Sequence, residues 1–264
     1  MIMMVTKLRE NKKEAGDGGI AQVRMLSKVR TGIEGFDELV KGGFPRGHTI
    51  LITGGAGTGK STFAMQFVYK GAKVYDEPGV YVTLEDSIPS IKKNALSYGW
   101  DLNSLEDKSL LAFVDFAPAV GGQLRKNDPS DMFSKISDEC KRIGAKRIVV
   151  DPIAIFGFQT ESAMQLRQDL IRFSSLLKQI EDATVIFVTE IPEDSHALSR
   201  FGVEEFISDG VVVLYYSRFG GTRIRGIEVR KLRGSSHQEG VFPAAIGDAG
   251  FVTYPSQKLS KLFS

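Results

Sequence analysis

The chain has 264 residues, 42% of them hydrophobic, and 34 basic side chains against 32 acidic ones leave a net charge of +2. That apolar share suffices for a globular core, and near-neutrality supplies no general attraction to nucleic acid or to an anionic membrane. A single cysteine, Cys140, excludes an intramolecular disulfide and a cysteine-based metal centre.

Residues 1–27 are polar and charged, with Gly16-Asp17-Gly18-Gly19 interrupting any helix, and are expected to form a flexible arm. The charges from Lys7 to Glu14 follow Met1 to Met4 too closely for a signal-peptide core, and no apolar run is long enough to span a bilayer. A soluble, cytoplasmic protein is expected. Residues 28–264 read as one domain. A short helix around Gly35 to Val40 precedes the turn Gly42 to Gly47. His48 to Thr53 is the first core strand, and Ser61 to Tyr69 has helical spacing. Gly79 to Leu84 reads as a buried strand, after which Ser87 caps a helix running to Tyr98 with Pro89 in its first turn. Trp100, beyond it, reads as a packing residue.

Leu110 to Asp115 is a third strand, followed by a glycine-rich loop, Ala117 to Pro129. The helix Ser130 to Ile143 holds Cys140 as a small buried hydrophobe. Arg147 to Asp151 is a fourth strand and Thr184 to Thr189 a fifth. Between them Met164 to Ile180 carries a helical apolar stripe, with Leu166, Leu170, Phe173 and Leu177 in it. Thereafter Val211 to Tyr216, Arg223 to Lys231, Val241 to Ile246 and Phe251 to Tyr254 are strand-like with no helices between them. The prediction is an α/β fold: a mostly parallel, twisted sheet flanked by helices, with right-handed crossovers and a C-terminal antiparallel extension.

Between the first strand and its helix lies the run Gly54, Gly55, Ala56, Gly57, Thr58, Gly59, Lys60, Ser61 and Thr62, which fits G-x-x-x-x-G-K-[ST]. Glycines let the backbone turn its N–H groups inward around a polyphosphate, at a helix N-terminus that favours anions. Lys60 is placed to reach the outer phosphates and Ser61 to hold Mg²⁺. Asp151, at the carboxyl end of the Ile148-Val149-Val150 strand, is the candidate metal-organising acid. Glu85 follows the strand next in sequence after the loop and is the candidate base for an attacking water, with metal contact also open to it. Its neighbour Asp86 is the candidate helper, though a carboxylate there also suits a helix start. Lys231 and Arg233 project from the same side of a strand end, where basic pairs are ordinarily solvated. His48 and His196 lack metal-ligand spacing and read as structural or surface residues.

Taken together, these residues resemble the KaiC family within the RecA/RadA-like ATPases. The resemblance is carried by Arg30 to Leu39, the glycine loop, Pro78 to Asp86, Asn94-Ala95, Tyr98 to Leu102, Phe201 to Asp209 and Lys231 to His237. It implies a RecA-like fold and a homohexameric ring with ATP and Mg²⁺ at each subunit boundary. Glu85 would then be the catalytic carboxylate and Asp151 the acid of the metal site. Ser97 would contact nucleotide. Lys231, Leu232, Arg233, Ser235 and His237 would reach the nucleotide of the adjoining protomer, with Asp248 nearby. Glu85-Asp86 departs from the family's paired glutamates, and Gly247-Asp248 lacks a hydroxyl that the family carries. Glu205-Phe206 replaces the Ser-Thr pair of the phosphorylating domains, so autophosphorylation there is not expected.

The leading expectation is a nucleotide-driven switch acting on a regulatory protein whose identity the residues do not give. One alternative is a RadA-like DNA-binding paralogue. It is disfavoured by the short, acid-bearing loop Glu190 to Arg200, although Arg125 and Lys126 could line a basic channel. The other is an ATP-binding scaffold without hydrolysis.

Overall fold

The structure is a computed structural model and describes residues 27–116, 129–158, 162–192 and 197–259. Nearly all of the expected arm, the pair Arg125 and Lys126, and His196 lie outside the described residues. Two short strands, β1 (Lys28–Val29) and β2 (Phe44–Pro45), pair antiparallel on their own. The remaining strands form one sheet. Its parallel part comprises β3 (Thr49–Gly54), β4 (Gly79–Thr83), β5 (Leu111–Asp115), β6 (Arg147–Asp151), β7 (Thr184–Glu190) and β8 (Gly210–Phe219). Three antiparallel strands, β9 (Thr222–Leu232), β10 (Val241–Gly247) and β11 (Gly250–Thr253), extend it to the order β11-β10-β9-β8-β3-β7-β6-β4-β5. This is the expected α/β architecture, a RecA-like core with an antiparallel extension.

β3 and β4 are buried along their whole length because helices cover both faces of the sheet. Alternation sends Ile50 and Ile52 to one face and Leu51 to the other. The first face packs against α1 (Phe36–Leu39), α2 (Lys60–Val74), α3 (Ile88–Leu96) and α4 (Leu102–Asp107). The second packs against α5 (Pro129–Ile143) and α6 (Ala163–Leu177), with Ile136, Cys140, Leu170 and Phe173 at its centre. Cys140 is buried, as expected, and burial pushes its thiol up to about 12. Trp100 is likewise buried, stacked on Tyr69.

Local differences from the expected elements have identifiable causes. Ser87 is the N-cap residue of α3 but its side chain makes no capping hydrogen bond. α6 stops at Leu177, short of Ile180, and begins under a Ser162 side chain that accepts from the Gln165 amide. α4 was absent from the sequence reading, and Asp101 caps it by accepting from the Ser104 amide. The first of the four late strands, β8, pairs parallel with β3, so the antiparallel extension starts only at β9.

One buried cation locks the first helix layer. The side chain of Arg147, at the start of β6, has no solvent exposure, yet it donates to Glu77 Oε2 (2.6 Å from Nη2), Phe67 O (2.7 Å) and Arg30 O (2.8 Å). Its guanidinium lies 4.5 Å from the Phe67 ring centroid. Gly71 provides the space, since a Cβ there would sit 2.3 Å from Arg147 Cδ.

Candidate active site

The glycine run crosses from β3 into α2 at the carboxyl end of the parallel strands, where open α/β sheets place ligands. Gly59 is one of its constrained positions. With φ 101° it adopts a backbone that side chains resist, and a Cβ would lie 2.7 Å from Ile246 Cδ1. Gly54 is held as tightly, since a Cβ there would meet Leu214 O at 2.3 Å. Gly55, by contrast, has open space around it and an ordinary φ, so its glycine is not required by the chain itself. Thr58 Oγ1 and Lys60 Nζ both donate to Gly55 O, each at 2.9 Å. A lysine nearly out of solvent and tied to a neutral carbonyl is a ready partner for phosphate oxygen. Burial holds its ammonium below the usual lysine range, while Glu190 and Asp151 pull the other way.

Ala56, Gly57, Gly59, Lys60, Ser61 and Thr62 form one wall of a cavity of about 360 Å³. Glu85, Asp86, Asp151 and Glu190 close the other side. The pairing of β4 with β6 and of β3 with β7 brings these acids together: Thr83 faces Asp151, and Gly54 faces Glu190. Asp151 accepts from Tyr81 Oη at 2.6 Å. Burial raises its carboxyl above the usual range, against the Tyr81 hydrogen bond, the neighbouring Ser61 hydroxyl and the nearby Lys60. Glu85 is raised as well, by partial burial and then by the charges of Glu190, Asp151 and Asp86, with Arg200 opposing. A carboxylate shifted upward is a stronger acceptor for the proton of water.

The cavity therefore gathers Lys60, Ser61, Thr62, Glu85, Asp86 and Asp151. A second cavity of about 220 Å³ shares Ser61, Thr62, Tyr81, Asp86 and Ile91 with the first and brings in Ser97, whose hydroxyl donates to Asn94 O at 2.7 Å. The sequence reading missed Glu190 and Tyr81 as site residues. Glu190 obeys the same strand-end rule that selected Asp151, whereas Tyr81 gave no signal. His48 is partly buried, with Nδ1 3.3 Å from Arg46 O, in keeping with a structural role.

The structure does not bring Lys231 to His237 to this cavity. Leu232 faces Gly210, which faces Ile50, and the Arg233 amide bonds Asp209 O while the Asp209 amide bonds Thr49 O. That is the start of β3, about 16 Å of extended chain from Gly54. There Lys231 Nζ donates to Ser208 O (2.6 Å) and Glu205 O (3.0 Å), and exposed Arg233 leans on Asp209 at 3.3 Å. Ser235 accepts from Lys28 Nζ at 2.7 Å, His237 is half-buried, and the Leu232 side chain is buried. Asp248 is not near them, contrary to expectation. It sits in the β10–β11 turn at the phosphate-loop end of the sheet, because β10 runs antiparallel to β9.

For a magnesium ion, the donor set at hand is one hydroxyl and carboxylate oxygens, which is hard-cation chemistry. Among the described residues no group of three His, Cys, Asp or Glu could hold a metal unaided. A cation held at Ser61 and Asp151 would therefore draw its other oxygens from phosphate and water, which fits the way Mg²⁺ binds. Glu85 lines the same cavity.

Phosphate loop, strand-end acids and sheet order together define a RecA-like protein of the P-loop nucleoside triphosphatase class. A family model described as the ATPase KaiC matches residues 29–258. The chain is 39% identical over 238 residues to the circadian clock oscillator protein KaiC of Parathermosynechococcus lividus and 40% identical over 232 residues to that of Synechococcus elongatus. These alignments cover 89% and 87% of this chain but 44% of each relative, so the chain spans less than half their length. A crystal structure of a KaiC-like protein from Pyrococcus horikoshii superposes with a TM-score of 0.77 at 40% identity, covering 87% of this chain and all of the other. The chain belongs to the KaiC family.

Proposed function

We propose that this protein hydrolyses ATP with Mg²⁺ at sites completed by a neighbouring copy, in a homohexameric ring. One observation carries the reading: Lys60, Ser61 and Asp151 meet Glu85 in one cavity while Lys231 and Arg233 stand at the opposite end of the sheet. No basic side chain of the second group can serve its own loop, so any phosphate they touch belongs to another protomer. In this mechanism the loop amides and Lys60 bind the triphosphate, and Glu85 takes a proton from the attacking water. The metal, when bound at Ser61 and Asp151, neutralises charge developing on the phosphate oxygens. Arg233 breaks its long contact to Asp209 to stabilise the transition state from across the boundary. The nucleotide state would then set the ring's shape for a protein partner.

Solution mass with and without Mg-ATP, combined with phosphate release, tests this. Wild type should assemble and turn over, and Glu85→Gln should assemble yet lose about 10²–10⁴-fold in rate. Wild type that binds ATP and releases no phosphate would leave only a scaffold.

A further inference from the structure

The antiparallel extension touches the phosphate loop from outside the cavity. Arg225, on β9, donates from Nη2 to the Gly57 carbonyl at 3.2 Å. Its guanidinium carbon lies 4.0 Å from the ring centroid of Tyr216, its direct cross-strand partner on β8. Arg225 Nε is buried and has no hydrogen-bond partner among the described residues, so the stacked ring and Gly57 O are what hold this guanidinium in place. Gly57 needs such an anchor. With φ 71° and only Tyr216 Cδ1, at 3.9 Å, near its Cβ position, it is not fixed by close packing on that side. The Gly57 carbonyl also shares a peptide unit with the Thr58 N–H, one of the amides the loop motif offers to phosphate. A cation on the carbonyl polarises that N–H and strengthens it as a donor.

We propose that Arg225 is a positioning residue for the phosphate loop: seated on Tyr216, it fixes the Gly57–Thr58 peptide and thereby sets the affinity for the triphosphate. The proposal rests on the nucleotide-binding reading above. Because Arg225 touches the loop carbonyl and not a reacting atom, it acts on substrate and transition state alike. Its loss raises KM and leaves kcat nearly unchanged.

The test is titration of Mg²⁺ and a fluorescent ATP analogue into the full chain, with steady-state phosphate release alongside. Arg225→Ala and Arg225→Met should each weaken binding and raise KM about tenfold, the loss of one charge-assisted hydrogen bond. Arg225→Met keeps the aliphatic stem on Tyr216, which separates the lost donor from lost packing if the alanine variant folds poorly. Arg225→Lys should recover part of the affinity, Tyr216→Leu should lose a smaller part, and Arg230→Ala, on the same strand with its side chain on Glu228, should match wild type. Wild-type affinity in Arg225→Met, or a fall in kcat with KM unchanged, would overturn the proposal and leave the nucleotide site intact. Failure of the wild-type chain to bind the analogue would overturn both.

Discussion

Around Glu85 the dominant fact is crowding by like charge. Glu190, Asp151 and Asp86 all add to the burial that raises its carboxyl, and only Arg200 opposes them. A base works when deprotonated, so activity is lost as pH falls through the raised Glu85 value. Glu190→Gln removes one of the charges that raise it. The acidic limb of kcat/KM for phosphate release should move to lower pH in that variant, and a limb that stays or moves upward contradicts the assigned base. Much of this site was legible residue by residue: Lys60 and Ser61 from the motif, and Asp151 and Glu85 from their positions just after strands. Glu190 also ends a strand but was passed over, because no local pattern shows that its strand lies beside β3 and the loop. Tyr81 was hidden for a related reason. It reads as one more buried strand residue until β4 and β6 align its hydroxyl with Asp151.

Among the elements, the join between α2 and β6 depends on Arg147 and its carboxylate, Glu77. Arg147→Ala leaves two main-chain carbonyls and part of Glu77 without their donor. It should cost about 3–5 kcal/mol in denaturant unfolding. A loss within experimental error would show that water replaces the cation. Burial alone would raise Glu77, but hydrogen bonds from Arg46 and Arg147 outweigh it and hold the carboxyl below its ordinary value of 4.5. Its contribution is therefore complete above that value and fades as pH falls through the lowered one. Glu77→Gln should be less stable at neutral pH and show a flatter acid limb of stability than wild type. Helices α5 and α6 were legible because each is 15 residues long and carries an apolar stripe, whereas α2, read as Ser61 to Tyr69, runs on to Val74. α4 has six residues with only Leu102 and Leu105 buried, too short for a period to register. Strand β8 looked like its antiparallel successors because direction is set by its pairing with β3, not by its own residues.

For the molecule as a whole, the two ends of the sheet carry different halves of the proposed chemistry. One end holds the loop and its acids, and the other holds Lys231 at the end of β9 and Arg233 just beyond it. That split could not be read from composition or spacing. The family resemblance implied that Lys231 and Arg233 serve the adjoining protomer, and the sheet register puts both at the end away from their own loop. A repeated head-to-tail contact joins unlike ends of identical chains, and it gives a ring when the rotation between neighbours closes. Arg233→Ala alone should reduce phosphate release about 10³–10⁵-fold while leaving ATP bound. The most direct test mixes two inactive proteins, Glu85→Gln and Arg233→Ala, before Mg-ATP is added. In some boundaries an intact Glu85 then faces an intact Arg233, and random assembly should restore roughly a quarter of wild-type turnover. A mixture as silent as its two components would contradict a site shared between protomers.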